Sequence, residues 1–569
     1  MNVKQVFELA TNVFGKRSGL LLLWQEISEH FYPQRADFTQ QRSLGTDFAA
    51  QLMTSYPILC RRELSDQTGT MLRPVGKEWK HMTLGDAGRE SNEVRRKLES
   101  MNGSMRRAMY DPASLFTKAQ KEADNDFASF GQCVTSTRLN RNRDALLYRC
   151  WHLRDCAWIE NEEGSVGSVF RKWKLTAQVM RRLWGDKIHS NVQKLLDRDP
   201  FAEVECMHMV VEMELYDGEI DTYDQDPLRG GFSSVRRKAN ARERERYPFV
   251  SIYYDCQNQH MLEAVAVWFS EYNVSRWETV SGSQYAFSPA VVAALPEARL
   301  LQSMTYTLLE AGEKVTNPPM IATQDVVRSD MAIYAGGTTW VDRDYDERLG
   351  AALRPMEIDG SGMPIGIDMQ RDSRNLLAQC FYLNKLKPFT PTADPQMTAF
   401  QAGQIVAQYI RDALPLFEPM EMERNGKECE LTLQVLMRTD IFGSPFDWPE
   451  EMLGADIKFR FESPLHDLIE SQKGQKFLEA KQLIAEAVSM DQKAGALLDV
   501  VDALRDALNG TGVPAKWIRD EVTVQQITDQ QQAADDATKV LAAMGQGSEI
   551  VKNLGAGMKD RAAAAPATV

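Results

Sequence analysis

The chain has 569 residues, more than one hydrophobic core supports, so roughly two to four packed units are expected. With 43% hydrophobic and 26% charged residues, its composition is that of an ordinary soluble globular protein. Acidic residues outnumber basic ones, 80 to 66, for a net charge of −14; this excludes a protein that grips DNA by neutralising phosphates and leaves one that is unrelated to nucleic acid or handles it without holding it.

Apolar positions Val6, Leu9, Val13, Leu20, Leu23, Ile27 and Phe31 predict one or two amphipathic helices, ended by Tyr32-Pro33. No signal-peptide core with a small-residue cleavage site is recognisable there. The longest apolar cluster, Leu20 to Trp24, is far short of the ~20 residues that span a bilayer, so cytosolic synthesis and no membrane are expected. A further helix is predicted over 48–71, stopped at Arg73-Pro74, and "KEWKHMTLG" reads as a strand. Helices over 90–110 and 114–129 lead into the β-like runs "GQCVTSTRL", "ALLYRCWHL", "CAWIE" and "SVGSVFRKW". The same mixed style continues through "AEVECMHMVVEMELYDG", "YPFVSIYYDC" and "LEAVAVWFSEY", while the basic stretch "RGGFSSVRRKANARERERYP" reads as a solvated loop.

From Ser288 a helix is predicted to 315, closed by "TNPPM". Short strands and turns follow ("MIATQD", "AIYAGGTTWVDRD", "PMEIDGSGMPIGID"), then a helix over 371–386, the connector "KPFTPTADP" and a long helix over 396–415 that resumes as "FEPMEMERNGKECELTLQVLM". The C-terminal part reads as helix over 465–490, 492–509 and 521–544, ahead of a tail with nothing to bury. A β unit placed between two helices suggests a lobe at the tip of a helical hairpin.

Catalytic signals are missing from the sequence. There is no G-x-x-x-x-G-K-[ST] loop, and "GSGMPIG" reads as a turn because of Pro364. The seven histidines are far apart in sequence and never in H-x-x-x-H, so neither a metal nor a cofactor is expected. Eight scattered cysteines without a C-x-x-C pair read as free, buried thiols in a reducing compartment. Asp342, Asp344, Asp346 and Glu347 alternate with Arg343 and Arg348, but no glycine or glutamate completes a calcium loop, and mixed charge suits a docking surface. The chain reads as a structural or interaction protein, not an enzyme.

Several stretches, in order, resemble the head-to-tail connector (portal) proteins of short-tailed bacteriophages. They are "WQEISEHFYPQRADF", "LSDQTGTMLRPVGKEWKHMTL", "YAFSPAVVAALPEARLLQSM" with its terminal "TNPPM", "PQMTAFQAGQIV" (where Gln401 stands in place of a common acid), "FESPLHDL" and "NGTGVPAKWIRDEVTVQQI". The resemblance implies a mixed α+β, helix-rich portal fold. It would comprise an α/β wing (1–286), a helical stem (287–315 and 371–386), a small α/β clip (316–370) inserted between the stem helices, a tunnel loop with a long helix and the rest of the wing (387–490), and an all-α crown with its tail (491–569). It also implies a homo-oligomeric ring of about twelve copies at one capsid vertex of the virion, assembled in the host cytoplasm. Implied partners are the terminase large subunit, whose separate ATPase pumps DNA, tail adaptor proteins, the major capsid and scaffolding proteins, and the double-stranded DNA that passes through the channel. Lys385, Lys387, Pro388, Thr390, Thr392 and Asp394 would lie at the tunnel loop, and Arg328, Asp342, Arg343, Asp346 and Arg348 would make clip contacts with a neighbour, terminase or adaptor. Two other classes compete: another virion component of the capsid or internal core, and a nucleic-acid-processing enzyme with an unrecognised site.

In the stem, Ser288 is a good N-cap and Pro289 fits the first helical position. Pro296 would cost about 3 kcal/mol in a helix interior. A short first helix over 291–295 and a second that starts at Pro296, with Glu297 favourable to its dipole, avoids that cost. Leu301, Met304 and Leu308 then form an apolar stripe, with Gln302, Thr305 and Glu310 on polar faces.

Overall fold

Two local hydrogen bonds start the first helix. The Asn2 side chain accepts from the Gln5 amide at 2.9 Å, and the Gln5 side chain accepts from the Asn2 amide at 2.9 Å. α1 (Val3–Gly15) is followed by α2 (Ser18–Phe31), which buries Trp24, Ile27 and Phe31 and ends ahead of Pro33. The computed structural model describes residues 1–322 except 42, 44, 46, 75, 77, 86–90 and 227–230. It then describes 348, 353–386 except 359, 420–461, and the single positions 504, 527 and 530. The helices predicted over 396–415, 465–490, 492–509 and 521–544 lie outside the described residues, save those single positions.

The further helices are α3 (Tyr56–Leu72), α4 (Asn92–Met109), α5 (Phe116–Phe130), α6 (Ala177–Trp184), α7 (Ser190–Arg198), α8 (Ala241–Arg246), α9 (Leu295–Thr316), α10 (Met363–Cys380), α11 (Leu383–Leu386) and α12 (Lys427–Leu436). α3 starts at Tyr56 rather than at 48, with Pro57 in its first turn, where a proline needs no donor. Strands are β1 (Lys80–Leu84), β2 (Gln132–Leu139), β3 (Leu146–Trp151), β4 (Cys156–Glu160), β5 (Val166–Thr176), β6 (Glu203–Glu212), β7 (Glu219–Asp226), β8 (Gly231–Lys238), β9 (Phe249–Asp255), β10 (His260–Val267), β11 (Tyr272–Arg276), β12 (Met320–Ala322), β13 (Leu353–Pro355) and β14 (Ile457–Phe461). Among the described residues no helix is long and apolar enough to cross a membrane.

The chain divides into two units. The first holds Met1–Trp79, Ser104–Phe442 and Phe461–Leu465. Its largest sheet is antiparallel, in the order β10-β9-β6-β5-β4, and both faces are covered. α1 lays Val6, Ala10 and Val13 on Met207, Met209, Ile252 and Tyr254, while α6 and α7 lay Ala177, Met180 and Val192 on Val204, Cys206 and Leu262. Two covered faces explain why "VECMHMVV" is apolar almost without alternation. A second sheet, β11-β2-β3, carries α5. In the second unit (Lys80–Gly103, Gly443–Arg460, His466–Val569) β1 pairs with β14, and Asn102 Nδ2 donates to the Lys80 carbonyl at 2.9 Å.

In its described residues, from Gly231 on, the basic stretch expected to be a solvated loop instead forms β8, α8 and the approach to β9. The β7–β8 pairing and its charge pairs decide it, with Arg236 Nε 2.9 Å from Asp221 on β7 and Arg237 Nη2 2.6 Å from Glu243 on α8, and Asn240 caps α8. All eight cysteines are free, and Cys60, Cys133, Cys156, Cys206 and Cys429 are buried, as expected.

His208 on β6 ties the two sheets together. Its Nδ1 lies 2.6 Å from Tyr272 Oη on β11, its Nε2 2.8 Å from Ser251 Oγ on β9, and its ring stacks on Tyr253 at 4.1 Å. Glu271, 3.6 Å away, would favour protonation, but burial, with Arg171 and Arg138 nearby, holds the imidazole well below the ordinary 6.5. The folded pKa is depressed, so as pH falls through 6.5 the unfolded chain takes the proton first. Stability present above that pH is lost below it, at up to about 1.4 kcal/mol per pH unit. His208→Gln should flatten the dependence, which urea unfolding midpoints at about pH 5 and about pH 7.5 would measure; an unchanged slope would assign the acid sensitivity elsewhere.

Candidate functional site

The predicted stem helix is mounted on the end of α5. Gly131 stops α5 in a left-handed conformation, φ +74°, with its amide on the Phe127 carbonyl at 2.9 Å. A Cβ at Gly131 would lie 2.5 Å from the Phe287 carbonyl carbon and 2.6 Å from the Ser288 nitrogen, so only glycine lets the two segments approach. Ser288 Oγ donates to the Ser129 carbonyl at 2.8 Å and accepts from the Val291 amide at 3.3 Å, so one hydroxyl both caps the new helix and staples it to the old one. Tyr285, just ahead, packs against Trp158 at 4.7 Å and edge-on to Trp24 at 6.1 Å.

Residues Ala290–Ala294 form a π-turn in which the Leu295 amide reaches the Ala290 carbonyl, and Pro296 follows in the first turn of α9. Ala294 and Leu295 both keep right-handed helical angles. The separate short helix expected over 291–295 is therefore a wide turn within one continuous run, which absorbs the proline's missing N–H. Glu297 occupies the first turn of α9 as expected.

α9 and α10 pack as an antiparallel hairpin. Gln370 Nε2 donates to Thr305 Oγ1 at 2.8 Å, Gly312 faces Met363, and Gly360 faces Val315. The ribbon β12–β13 continues the same register, pairing Met320 with Pro355 and Ala322 with Leu353, so each step along one limb is matched by a step along the other. α10 begins at Met363, ahead of the expected 371. The "GSGMPIG" turn reading fails because Pro364 sits in the first turn, where proline needs no donor. Thr305 is buried against α10 rather than on a polar face, and Gln302 accepts from the Met53 and Thr54 amides at 2.7 and 3.0 Å. Leu300, Tyr306 and Leu309 on α9, and Ile365, Met369 and Leu376 on α10, stay exposed, Ile365 by 65%.

Behind this hairpin, α5 gathers charges from distant parts of the chain. Asp124 binds Arg73 Nη2 at 2.5 and 2.7 Å and Arg424 Nη2 at 2.6 Å, all three side chains buried. Burial alone would lower the Arg424 pKa, but the adjacent Asp124 leaves it raised. A Cβ on Gly69 would come within 2.9 Å of Asp124 Oδ2, which explains the glycine in "QTGTMLRP". Asp126 binds Arg35 at 2.6 Å, the arginine of "YPQR". Glu428 on α12 accepts from Thr135 and Thr137 at 2.7 and 2.6 Å and from Asn273 at 3.1 Å. Three of the stretches that carried the resemblance thus meet on the last turns of α5. The sequence does not single out this helix, because Asp124 and Asp126 stand among other polar residues (Lys121, Glu122, Asn125) and nothing local marks them as the buried acids.

Of the other expected site residues, Lys385 is exposed on α11 and Arg348 is exposed. Lys387, Pro388, Thr390, Thr392, Asp394, Arg328, Asp342, Arg343 and Asp346 lie outside the described residues. His189 and His260, distant in sequence, are brought to 5.5 Å between ring centroids. Among the described residues no group of three or more His, Cys, Asp or Glu is placed to hold a metal.

A family model described as bacteriophage head to tail connecting protein matches residues 4–518. The fold is similar to a chain in the neck of an empty gene transfer agent particle, at 9% identity and TM-score 0.34, over 77% of this chain and 91% of that one. It is also similar to a chain in the virion of a native gene transfer agent particle, at 8% identity and TM-score 0.32, over 82% and 95%. No curated protein matches the chain.

Proposed function

The chain belongs to the family of bacteriophage head to tail connecting proteins, a structural virion family, and on that footing we propose that it forms the portal ring at one capsid vertex. DNA packaged by a separate terminase motor passes in through the ring and later out through it, and the tail attaches to its outer end. The observation that carries this reading is the α9–α10 hairpin, whose apolar side chains stay exposed on a rigidly anchored rod and so need neighbours. Side-by-side packing of such rods buries those faces in a heterologous contact that closes into a ring of about twelve copies. With α10 starting at Met363, the limbs 287–316 and 363–386 are then the stem, the residues between them the clip, 1–286 with 387–490 the wing and tunnel loop, and 491–569 the crown. A chain of net charge −14 suits a lumen that repels phosphates, so that DNA slides without being held. Lys385 and Lys387 touch the passing backbone transiently, and the charged run around Arg343 and Asp346 docks the motor or the adaptor.

Negative-stain microscopy of the purified full chain should show ring particles with a central channel. Monomers alone under every condition would overturn the reading. An ATPase or nuclease activity abolished by a point substitution would replace it with an enzyme.

A further inference from the structure

Trp268, in the turn between β10 and β11, is 41% exposed and flanked by two cations. The guanidinium carbon of Arg246 lies 5.2 Å from its ring centroid and that of Arg438 lies 5.6 Å away. Tyr247 meets the ring edge-on at 4.9 Å, and Arg438 also covers Phe269 at 4.8 Å. Neighbouring cations have carboxylate partners: Arg236 has Asp221, Arg237 has Glu243 and Arg244 has Asp217. Among the described residues Arg246 and Arg438 have none; Arg438 donates only to the Gln434 carbonyl, at 2.6 Å. An aromatic face with two unmatched positive charges is unusual on a chain with an acidic excess.

The complementary features stand on a second loop. Phe446 is 97% exposed, at the centre of the 3-10 turn Pro445–Asp447. The turn is held in shape by the amides of Phe446 and Asp447, which donate to Ser444 Oγ at 3.3 Å and Ser444 O at 3.0 Å. Asp447, Glu450 and Glu451 have no cation partner among the described residues. A large ring left in water on a preordered turn has the properties of an interface anchor, because little ordering cost remains to be met on binding.

We infer that the loop 444–451 of one copy docks on the Arg246–Trp268–Arg438 clamp of the next, with Phe446 on the tryptophan and the carboxylates on the guanidiniums. The contact is heterologous, so it propagates around a ring, and it rests on the ring reading above. Duplex DNA would satisfy the two cations but offers no free apolar group to Trp268; the loop uses both halves of the clamp.

A fluorescein-labelled peptide of sequence SPFDWPEE (444–451), added to the full chain diluted to monomer, tests the contact without requiring rings. Saturable binding is expected, weakened at least tenfold by W268A or by R438E, both exposed positions whose folding circular dichroism would check. A peptide carrying E450K and E451K should regain affinity for R438E. No binding, or binding indifferent to both variants, would overturn the contact. A peptide that binds only after F446A in the chain would mean that the loop folds back on its own copy, which overturns it too. A DNA duplex probe lost in R438E, with no peptide binding, would give the clamp to nucleic acid instead. In the assembly arm, wild-type rings that persist unchanged in R438E refute this contact and leave the ring standing, whereas wild-type chains that never assemble refute the ring while the peptide result alone decides the clamp.

Discussion

Asp124→Ala should lower the unfolding free energy by about 3–5 kcal/mol, the largest single-residue effect expected in the described residues. The carboxylate is only 4% exposed and answers two buried guanidiniums at once, Arg73 at 2.5 Å and Arg424 at 2.6 Å. Its removal leaves two buried cations without their ion-pair partner. Arg424 Nε and Nη1 have no hydrogen-bond partner, so without Asp124 it keeps only the Nη2 contacts to the Gln120 carbonyl and Oε1, at 3.2 and 3.3 Å. Replacing the cluster by matched apolar residues is a different experiment and is expected to be far milder, because it leaves nothing unpaired. Gly69→Ala should act in the same direction but less, since its Cβ would push Asp124 off Arg73. Urea titration followed by tryptophan fluorescence measures both. A loss of under about 1 kcal/mol for Asp124→Ala would mean that water screens the cluster as it does a surface pair.

The second expected result concerns assembly as much as stability. Gly131→Ala must hold an alanine at φ +74°, about 1–2 kcal/mol, and must push its Cβ against the Phe287 backbone, about 1–3 kcal/mol more. The clash is with main chain, which no rotamer change relieves, so Ser288 and the π-turn behind it must shift. Gly282→Ala is the control: φ is +89° there, but nothing lies within 4 Å of the added carbon. Gly131→Ala should therefore melt at a clearly lower temperature than Gly282→Ala, and a smaller fraction of the surviving protein should enter rings. Equal melting losses would show that the close approach does not constrain the stem.

Much of the helical scaffold was legible because apolar spacing survives without tertiary knowledge, as in the stripe from Val6 to Phe31. The misreadings share a cause. The basic stretch reads as a loop because its partners, Asp221 for Arg236 above all, are not sequence neighbours. Pro364 reads as a breaker because a proline's effect depends on which turn of the helix it occupies, and the sequence alone does not say which. Thr305 reads as a polar-face residue because nothing local in the sequence says that Gln370 comes to meet it. The mounting on α5 was the least legible part. Its bonds join residues between 51 and 304 positions apart, and no periodicity encodes such distances.

The matched limbs of the hairpin also bear on how this protein can diverge. Thr305 to Ala322 and Leu353 to Gln370 are in step residue for residue, through helix and ribbon alike. A single insertion in one limb would slip every pairing beyond it and turn buried side chains outward. Equal insertions in both limbs would lengthen the rod and keep its faces. Relatives with stems of different length should therefore differ by compensated pairs of insertions, so that the hairpin serves as a ruler for the distance it spans.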